Sequence, residues 1–480
     1  MSQMLKMEGG SVTQSVVIDK RFTAESDLDR NISTASSEYV RYAPTGSLTG
    51  RQLEFQVEPS VGYIDLKNSY IHSQIRILKA GGLPVATDLC TFKPFVSLLQ
   101  WSDIKTYVND VELGDEQNSD YPLTAFAKVA LEESNVKSST VMLLPQAFNA
   151  PVGTIQTLVE SDQRNLEGIR APDTSLMCNA GNATGSSLSY IYSQLRDRTI
   201  VSTQAGFVDT LTHPKDGIWS QPDYLQPGLR VRCVLTKNDD SQIIEDANGT
   251  PVLNFTVEYG SVYLYLKRVY PVPSMGTIAK QVQMEKGMLY TLLRARTASV
   301  SYSNNQTTLT ASALLAGQNP SIVIVGFYRI RDASGQYHNH EFNSDLSISS
   351  LYIRVGGQRV PANFDYERQD ATQAGALVDY NEYVLACKAS SQNTTQSDNE
   401  TPLLSYEAYK NFSVYVFNCK KNQQTMWGMD DSSNAQGAID VYARFPTAGR
   451  DNTQNRMLVI GLGHNQVHVT HDGRVSRLGW

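Results

Sequence analysis

The chain has 480 residues, of which 41% are hydrophobic and 19% are charged. This length is too great for one ordinary core and predicts about two to four domains. The net charge of −7 argues against direct nucleic-acid binding by the body of the chain. A protein that wraps nucleic acid needs many phosphate-neutralising Lys and Arg residues.

The five cysteines are far apart and form no CxxC pair, which favours reduced thiols in an intracellular compartment over a secreted disulfide framework. The amino terminus has no apolar segment of the signal-peptide type. No run approaches the ~18–20 apolar residues of a membrane span. We therefore expect a protein without a membrane span that is made and assembled inside a cell.

The first half of the chain is predicted to be mostly β. Residues 1–37 are polar and lack a hydrophobic period, which is typical of a flexible arm. Apolar and polar residues then alternate in short segments, and Asn109-Asp110 is a predicted turn between two of them. The predicted strands are Leu53–Glu58, Tyr63–Asn68, Ile71–Leu78, Phe95–Leu99, Ile104–Val108, Val111–Leu113, Leu229–Thr236, Val252–Tyr259 and Ser261–Val269.

One segment of the first half has a helical period. Pro122 suits a first helical turn and is followed by apolar residues at helical spacing from Leu123 to Leu131, so a short helix is predicted there. Residues 135–225 hold few long apolar runs and many Gly, Asn, Ser, Asp and Pro residues, which is typical of a long loop excursion. Pro271 and Pro273 indicate a domain boundary.

The second half repeats the β pattern. Asp379–Ala389 is a second helical candidate, with apolar and aromatic residues on one face. The predicted strands are Leu289–Ser299, Ser321–Arg331, Leu351–Val355, Phe412–Asn418, Ala438–Phe445 and Met457–Leu462.

A β-hairpin is predicted within this half. Leu351–Val355 alternates in polarity, and Gly356-Gly357 supplies a turn that tolerates positive φ. Gln358–Val360 begins the return strand, which Pro361 ends.

Two consecutive all-β units of ~200 residues, with frequent turn signals, indicate sandwiches or jelly rolls. The predicted organisation is a flexible arm at 1–37, a first unit at 38–270 that contains the excursion at 135–225, a second unit at 275–463, and a carboxy-terminal tail at 464–480.

The motifs of known chemistry are missing from the sequence. His338 and His340 could share one strand face as metal ligands, but no third ligand follows and a surface loop is favoured. His464, His468 and His471 are interpreted as part of a polar tail. There is no GxSxG elbow and no Walker-type loop. We therefore predict no catalytic residue, no cofactor-binding residue, no metal ligand, and no enzyme activity.

Several segments, in order, resemble the double jelly-roll major capsid proteins of Polinton/Maverick-type elements and related adintovirus- or virophage-like viruses. The resemblance covers roughly residues 38–460. Residues 135–225 match little, and Glu341-Phe342-Asn343 lacks the proline of the family's Asn-Pro-Phe. The matching segments are Tyr63–Ile77, Phe95–Leu113, Asn118–Ala130, Ser261–Val269, Ala316–Pro320 with the IVIVGF that follows, Glu341–Phe364, Glu407–Asn418 and Ala438–Phe445.

The resemblance implies two consecutive eight-stranded antiparallel jelly rolls, with short inserted helices and long loops. It also implies a structural major capsid protein of the virion, whose homotrimers form pseudo-hexameric capsomers of an icosahedral shell. The implied partners are the chain itself and penton or minor capsid proteins, with no cofactor.

Two alternatives remain open from the sequence. A minor or vertex (penton-type) β-barrel capsid protein would have one roll or would form pentamers. A carbohydrate-binding or hydrolytic β-sandwich protein would need a carboxylate pair or a metal site that converges in a cleft.

Overall fold

The structure is a computed structural model. Three sequence predictions lie wholly or mostly outside the described residues: the flexible arm before Thr34, the His338/His340 pair, and residues 135–206 of the excursion. The described residues are 4–5, 16–17, 34–79, 90–92, 96–115, 121–131, 207–220, 223–246, 255–303, 306–316, 320–331, 347–362, 364–368, 376–390, 409, 413–419, 438–446 and 454–478.

The strands of the first half form two facing sheets, in the orders β3-β12-β5-β9 and β4-β10-β7-β8, and every pairing is antiparallel. Two short pairs, β1 with β2 and β6 with β11, stand apart from these sheets. The strands are β1 Met4–Leu5, β2 Val16–Val17, β3 Thr34–Tyr42, β4 Gln52–Val57, β5 Tyr63–Lys79, β6 Cys90–Phe92, β7 Trp101–Val108, β8 Val111–Glu112, β9 Val208–Thr212, β10 Val231–Lys237, β11 Ile244–Asp246 and β12 Phe255–Pro271.

The second half also forms two sheets, from eight further principal strands in the orders β13-β21-β15-β19 and β14-β20-β16-β17. Two short strands extend it, β18 beside β16 and β22 beside β21. The strands are β13 Met288–Ser303, β14 Thr308–Leu314, β15 Ile322–Arg331, β16 Ile348–Val355, β17 Gln358–Val360, β18 Tyr366–Arg368, β19 Val414–Asn418, β20 Ile439–Arg444, β21 Gln454–Val469 and β22 Val475–Leu478.

The two halves share one topology. If the eight principal strands of each half are numbered along the chain, both halves read 1-8-3-6 in one sheet and 2-7-4-5 in the other. This is the connectivity of an eight-stranded jelly roll, in which two sheets enclose one core. The prediction of two consecutive antiparallel jelly rolls is therefore confirmed.

The described helices are inserted between strands. The sequence predicted the second and the last of them, and these two predictions are confirmed. The helices are α1 Val96–Leu99, α2 Tyr121–Ala130, α3 Asp240–Ile243, α4 Pro273–Lys286 and α5 Ala376–Ser390, with a 3₁₀ turn at Gly217–Ser220.

Helix α4 occupies the boundary that the two prolines indicated, and the sequence pattern does not predict it. Pro273 stands at its start, where a missing N–H costs nothing. Gly287 ends it with φ +68, and a Cβ there would lie 2.6 Å from the Nε2 of His468. Most of α4 is exposed, so its sequence lacks the strong apolar face that would have revealed it.

The strand predicted at Phe95–Leu99 was wrong, because Val96–Leu99 is a helical turn with all four residues buried. A short apolar run does not distinguish a strand from a buried helix by its period. The pair predicted at Tyr63–Asn68 and Ile71–Leu78 is one continuous strand, β5. The later pair, at 252–259 and 261–269, is likewise one strand, β12. Register shifts between these two strands disturb the alternation that the predictions followed.

Strand β9 lies within the segment predicted as an excursion. Its inward residues Thr210 and Thr212 are polar, so it lacks an apolar signal. Gln100 beside α1 satisfies them, since its Nε2 donates to the two Oγ1 atoms at 3.2 and 3.0 Å. Thr212 in turn donates to the carbonyl oxygen of Ser97 at 2.6 Å.

The ends of the chain also differ from the predicted organisation. β3 begins at Thr34, inside the segment predicted as an arm, and pairs along β12. β21 runs on to Val469 and returns as β22, inside the segment predicted as a tail. The polar residues of both segments form strands at the edges of sheets. An edge strand is partly exposed to solvent, so its sequence does not need an apolar pattern.

The hairpin predicted at residues 351–361 is present as β16 and β17. Gly356 and Gly357 have φ +56 and +81. Asn109 and Asp110, the other predicted turn, also have positive φ, at 44 and 65. Both turn predictions are confirmed.

We predict that the double substitution Gly356→Val, Gly357→Val destabilises the protein by about 1–2 kcal/mol per residue, because β-branched residues are strained at positive φ. Thermal unfolding and the yield of folded protein measure the loss. Gln358→Val, at the next, exposed position of β17, is the matched control and should stay within about 0.5 kcal/mol of the wild type. Equal stability of the double variant and the control would refute this account of the turn.

Candidate functional site

The two rolls share one long strand pair. β13 and β21 are each 16 residues long and pair without a register shift from Met288 opposite Val469 to Ser303 opposite Gln454. At one end Tyr290, Leu292, Val467 and Val469 lie in the core of the first roll. At the other end Tyr302, Met457 and Val459 lie in the core of the second roll. The pair is therefore a structural member of both rolls.

Tyr290 anchors the near end of β13 in the first roll. Its side chain is 1% exposed, and its hydroxyl accepts a hydrogen bond from the backbone N of Gln226 at 3.0 Å. The same hydroxyl donates to the carbonyl oxygen of Tyr224 at 3.2 Å. Burial raises the pKa of Tyr290, so the hydroxyl keeps its proton and its role as donor.

The terminal hairpin of the second roll also contacts the first. Asn109 donates from Nδ2 to the carbonyl oxygen of Gly473 at 2.7 Å, and its Oδ1 accepts the backbone N–H of Arg230 at 2.8 Å. Gln226 donates from Nε2 to the carbonyl oxygen of Thr470 at 2.8 Å. The turn predicted at Asn109-Asp110 is thus part of the contact between the rolls.

Four buried charged residues meet where β13 enters the second roll, and we call them the joint cluster: Asp115, Lys128, Asp216 and Arg294. Each is at most 6% exposed. Lys128 on α2 is hydrogen-bonded to Asp115 and also donates to the carbonyl oxygen of Lys215 at 2.8 Å.

The joint cluster fastens the first roll to β13 by two hydrogen bonds. The Oδ1 of Asp115 accepts the backbone N–H of Ala295 at 2.7 Å. The Nε of Arg294 donates to the carbonyl oxygen of Gly114 at 2.8 Å. Buried charges are tolerated only when they are paired and hydrogen-bonded, so the cluster holds these segments in one specific arrangement.

A third contact between the rolls is apolar. α2 of the first roll and α5 of the second roll occupy the same place in the strand order, between the fifth and sixth principal strands. Both cover the outer face of the β13-β21-β15-β19 sheet. The buried residues that they contribute are Leu123, Ala127 and Leu131 near α2 and Tyr383, Ala386 and Cys387 on α5.

An ion pair fixes α5 to the second roll. Arg368 on β18 donates from Nε and Nη2 to the Oδ2 of Asp379 at 2.8 and 2.6 Å. Its guanidinium also lies 4.6 Å from the ring centre of Tyr409 and 4.4 Å from that of Tyr415. Burial raises the pKa of Asp379, and Arg368 opposes this shift.

The described residues show no group of three or more His, Cys, Asp or Glu side chains that could hold a metal ion. His468 lies on β21, where its Nε2 is 3.0 Å from the carbonyl oxygen of Lys286, and His471 is exposed in the following turn. Across the described part of the chain, no helix has the length and apolarity to cross a membrane. Cys233, Cys387 and Cys419 are free thiols.

Sequence reasoning missed the joint cluster. Asp115 and Asp216 are separated by 101 residues, and each follows a short strand in a polar segment. One signal was available: the predicted helix carries Lys128 within an otherwise apolar stretch, and a lone lysine there needs a buried carboxylate partner.

No protein-family profile and no curated protein matches this chain. Solved structures do match. A chain in the 3.5 Å cryo-EM structure of the Sputnik virophage aligns over 98% of this chain and 95% of its own length, with a TM-score of 0.53 and 10% identity. The crystal structure of the mavirus major capsid protein aligns over 98% and 97%, with a TM-score of 0.48 and 12% identity. The Faustovirus major capsid protein aligns over 91% and 90%, with a TM-score of 0.47 and 10% identity.

The first of these similarities shows the fold. The alignment with the Sputnik chain spans nearly the whole length of both proteins, so it includes both rolls. Together with the repeated strand order, it establishes that this chain has the double jelly-roll fold. The resemblance noted in the sequence is confirmed for the fold.

We predict that Arg368→Met destabilises the protein by about 3–5 kcal/mol, because Asp379 is left buried without its cation. Adding Asp379→Leu should restore much of the loss, since an apolar pair needs no charge compensation. Chemical denaturation measures both variants. Arg354→Met, on an exposed position of β16, is the control and should have little effect. A double variant as unstable as the single one would contradict the ion-pair explanation.

Proposed function

We propose that this chain is a structural major capsid protein whose homotrimers form pseudo-hexameric capsomers that tile an icosahedral virus-like shell. The observation that carries the proposal is the repeat of one jelly-roll topology in both halves of the chain. A closed ring of three such chains presents six similar rolls, and a six-cornered unit can tile a surface.

The likeness to a chain of the Sputnik virophage supports a place in a virion. That protein belongs to a virus particle, and the alignment covers both rolls of this chain. The proposed location is therefore the capsid, with assembly inside the host cell.

The internal construction suits a shell subunit. A subunit that transmits load between neighbours must not bend at the connection between its rolls, and here that connection has a shared strand pair, a buried charge cluster and an apolar interface. The proposed function requires no catalytic residue and no cofactor. The proposed partners are other copies of this chain and penton or minor capsid proteins.

The acidic composition of the chain agrees with a role in the shell and not in binding the genome. A net charge of −7 favours leaving contacts with nucleic acid to other proteins. A single-roll vertex protein is less well supported than a major capsid protein, because this chain holds two rolls.

We predict that the purified full-length chain has a mass of three times 53.1 kDa by light scattering after size exclusion, because the proposed capsomer is a homotrimer. Negative-stain images of the same fraction should show particles with a hexagonal outline. A stable monomer at high protein concentration, or a pentamer, would contradict the proposal. A pentamer would instead favour a vertex protein, and a monomer that binds glycans would favour a carbohydrate-binding sandwich.

A further inference from the structure

Asp216 has an unusual position within the joint cluster. It is fully buried, and its Oδ1 accepts the backbone N–H groups of Asp115 at 2.5 Å and Gly217 at 3.0 Å. Its Oδ2 has no hydrogen-bond partner among the described residues. The cation of the cluster that bonds directly to a carboxylate, Lys128, bonds to Asp115 and not to Asp216.

Several ionisable groups face Asp216 from the elements packed around it. α2 contributes Lys128 and Tyr121, and the hydroxyl of Tyr121 accepts the backbone N–H of Lys215 at 3.2 Å. Cys233 on β10 is near enough for Asp216 to contribute to the rise in its pKa, after burial. The remaining charged groups are Asp115, which follows β8, and Arg294 on β13, whose side chain lies against Gly217.

The backbone around Asp216 is closely packed. A Cβ on Gly114 would lie 2.6 Å from the Oδ2 of Asp216, so the carboxyl group presses directly on the Gly114–Asp115 backbone. The same two residues accept the hydrogen bonds from Arg294 and Ala295 of β13. Any movement of Asp216 is therefore transmitted to the contact between the rolls.

Burial and, secondly, the negative charge of Asp115 raise the pKa of Asp216 to about 7, while Lys128 opposes the shift. The neutral form thus persists in the folded protein up to neutral pH. A proton on this carboxyl removes its repulsion with Asp115 and the cost of burying a negative charge.

We propose that Asp216 is a pH-sensitive latch between the two rolls: the neutral carboxyl holds the Gly114–Asp115 segment against β13, and loss of its proton weakens that hold as the pH rises towards neutral.

The direction of the effect follows from proton linkage. The folded-state pKa of Asp216 lies above that of an ordinary carboxyl, so the closed joint binds a proton that the opened joint gives up. The stabilisation is complete below pH ~4 and is lost as the pH rises to about 7. The device concerns the rigidity of one subunit, so it does not depend on the proposed shell function.

The amide of Ala295 reports on the latch, because its N–H is hydrogen-bonded to Asp115. Hydrogen exchange of the full-length protein, corrected for the intrinsic pH dependence, measures how often this bond opens. We expect the protection of peptides that contain Ala295 to fall about tenfold per pH unit between pH 5 and 7 and to level off above. The β16–β17 hairpin should show no such dependence.

Two variants test the assignment to Asp216. Asp216→Asn keeps an oxygen for the two backbone N–H groups but carries no charge, so its protection at Ala295 should be independent of pH from 5 to 8. Asp103→Asn is the matched control. Burial raises the pKa of Asp103 to about 6, and Asp103 also lies near Asp115. Loss of its proton would therefore change the stability in the same direction as loss of the proton of Asp216. In this control the protection at Ala295 should still fall between pH 5 and 7 and level off near pH 7.

The proposal is overturned if the wild-type protection does not change between pH 5 and 7, or if Asp216→Asn keeps the wild-type slope. It is also overturned if Asp103→Asn removes the slope, since the titrating group would then be Asp103. Should Asp216→Asn fail to fold, a wild-type slope that levels off near pH 7 and persists in Asp103→Asn supports the proposal, and the absence of either result overturns it.

Discussion

The pairing of β13 with β21 is the constraint on which the rest of the structure depends. Each of these strands has 16 residues and spans about 50 Å, and its two ends reach the cores of different rolls. One end of β13 supplies Tyr290 and Leu292 to the core of the first roll, and β21 supplies Val467 and Val469. The core of the first roll is therefore incomplete without residues of β13 and β21, which pair within a sheet of the second roll.

The polar contacts of the joint cluster follow from the contribution of β13 and β21 to both cores. Where β13 leaves the first roll, its edge would expose backbone groups to a buried, apolar environment, which is costly. Asp115 meets that need by accepting the N–H of Ala295, and Lys128 then compensates the charge of Asp115. Asp216 orders the same backbone from the other side, and its burial is what makes it sensitive to pH.

The sequence predicted most of what depends on local pattern. Alternation located the main strands, the Gly-Gly and Asn-Asp turns were placed correctly, and α2 and α5 were recognised by helical spacing. It did not predict α1, whose four apolar residues fit either structure, or β9, whose inward threonines carry no apolar signal. The joint cluster could not be predicted, because Arg294 bonds to Gly114 across 180 residues of chain and this contact depends on how the rolls pack.

Differential scanning calorimetry of the full-length chain tests the central claim most directly, namely that the shared β13–β21 pair makes the two rolls one cooperative body. A single transition, in which both rolls unfold together, is the expected result. Two separate transitions, each with the enthalpy of about half the chain, would show that the rolls unfold independently and would contradict it.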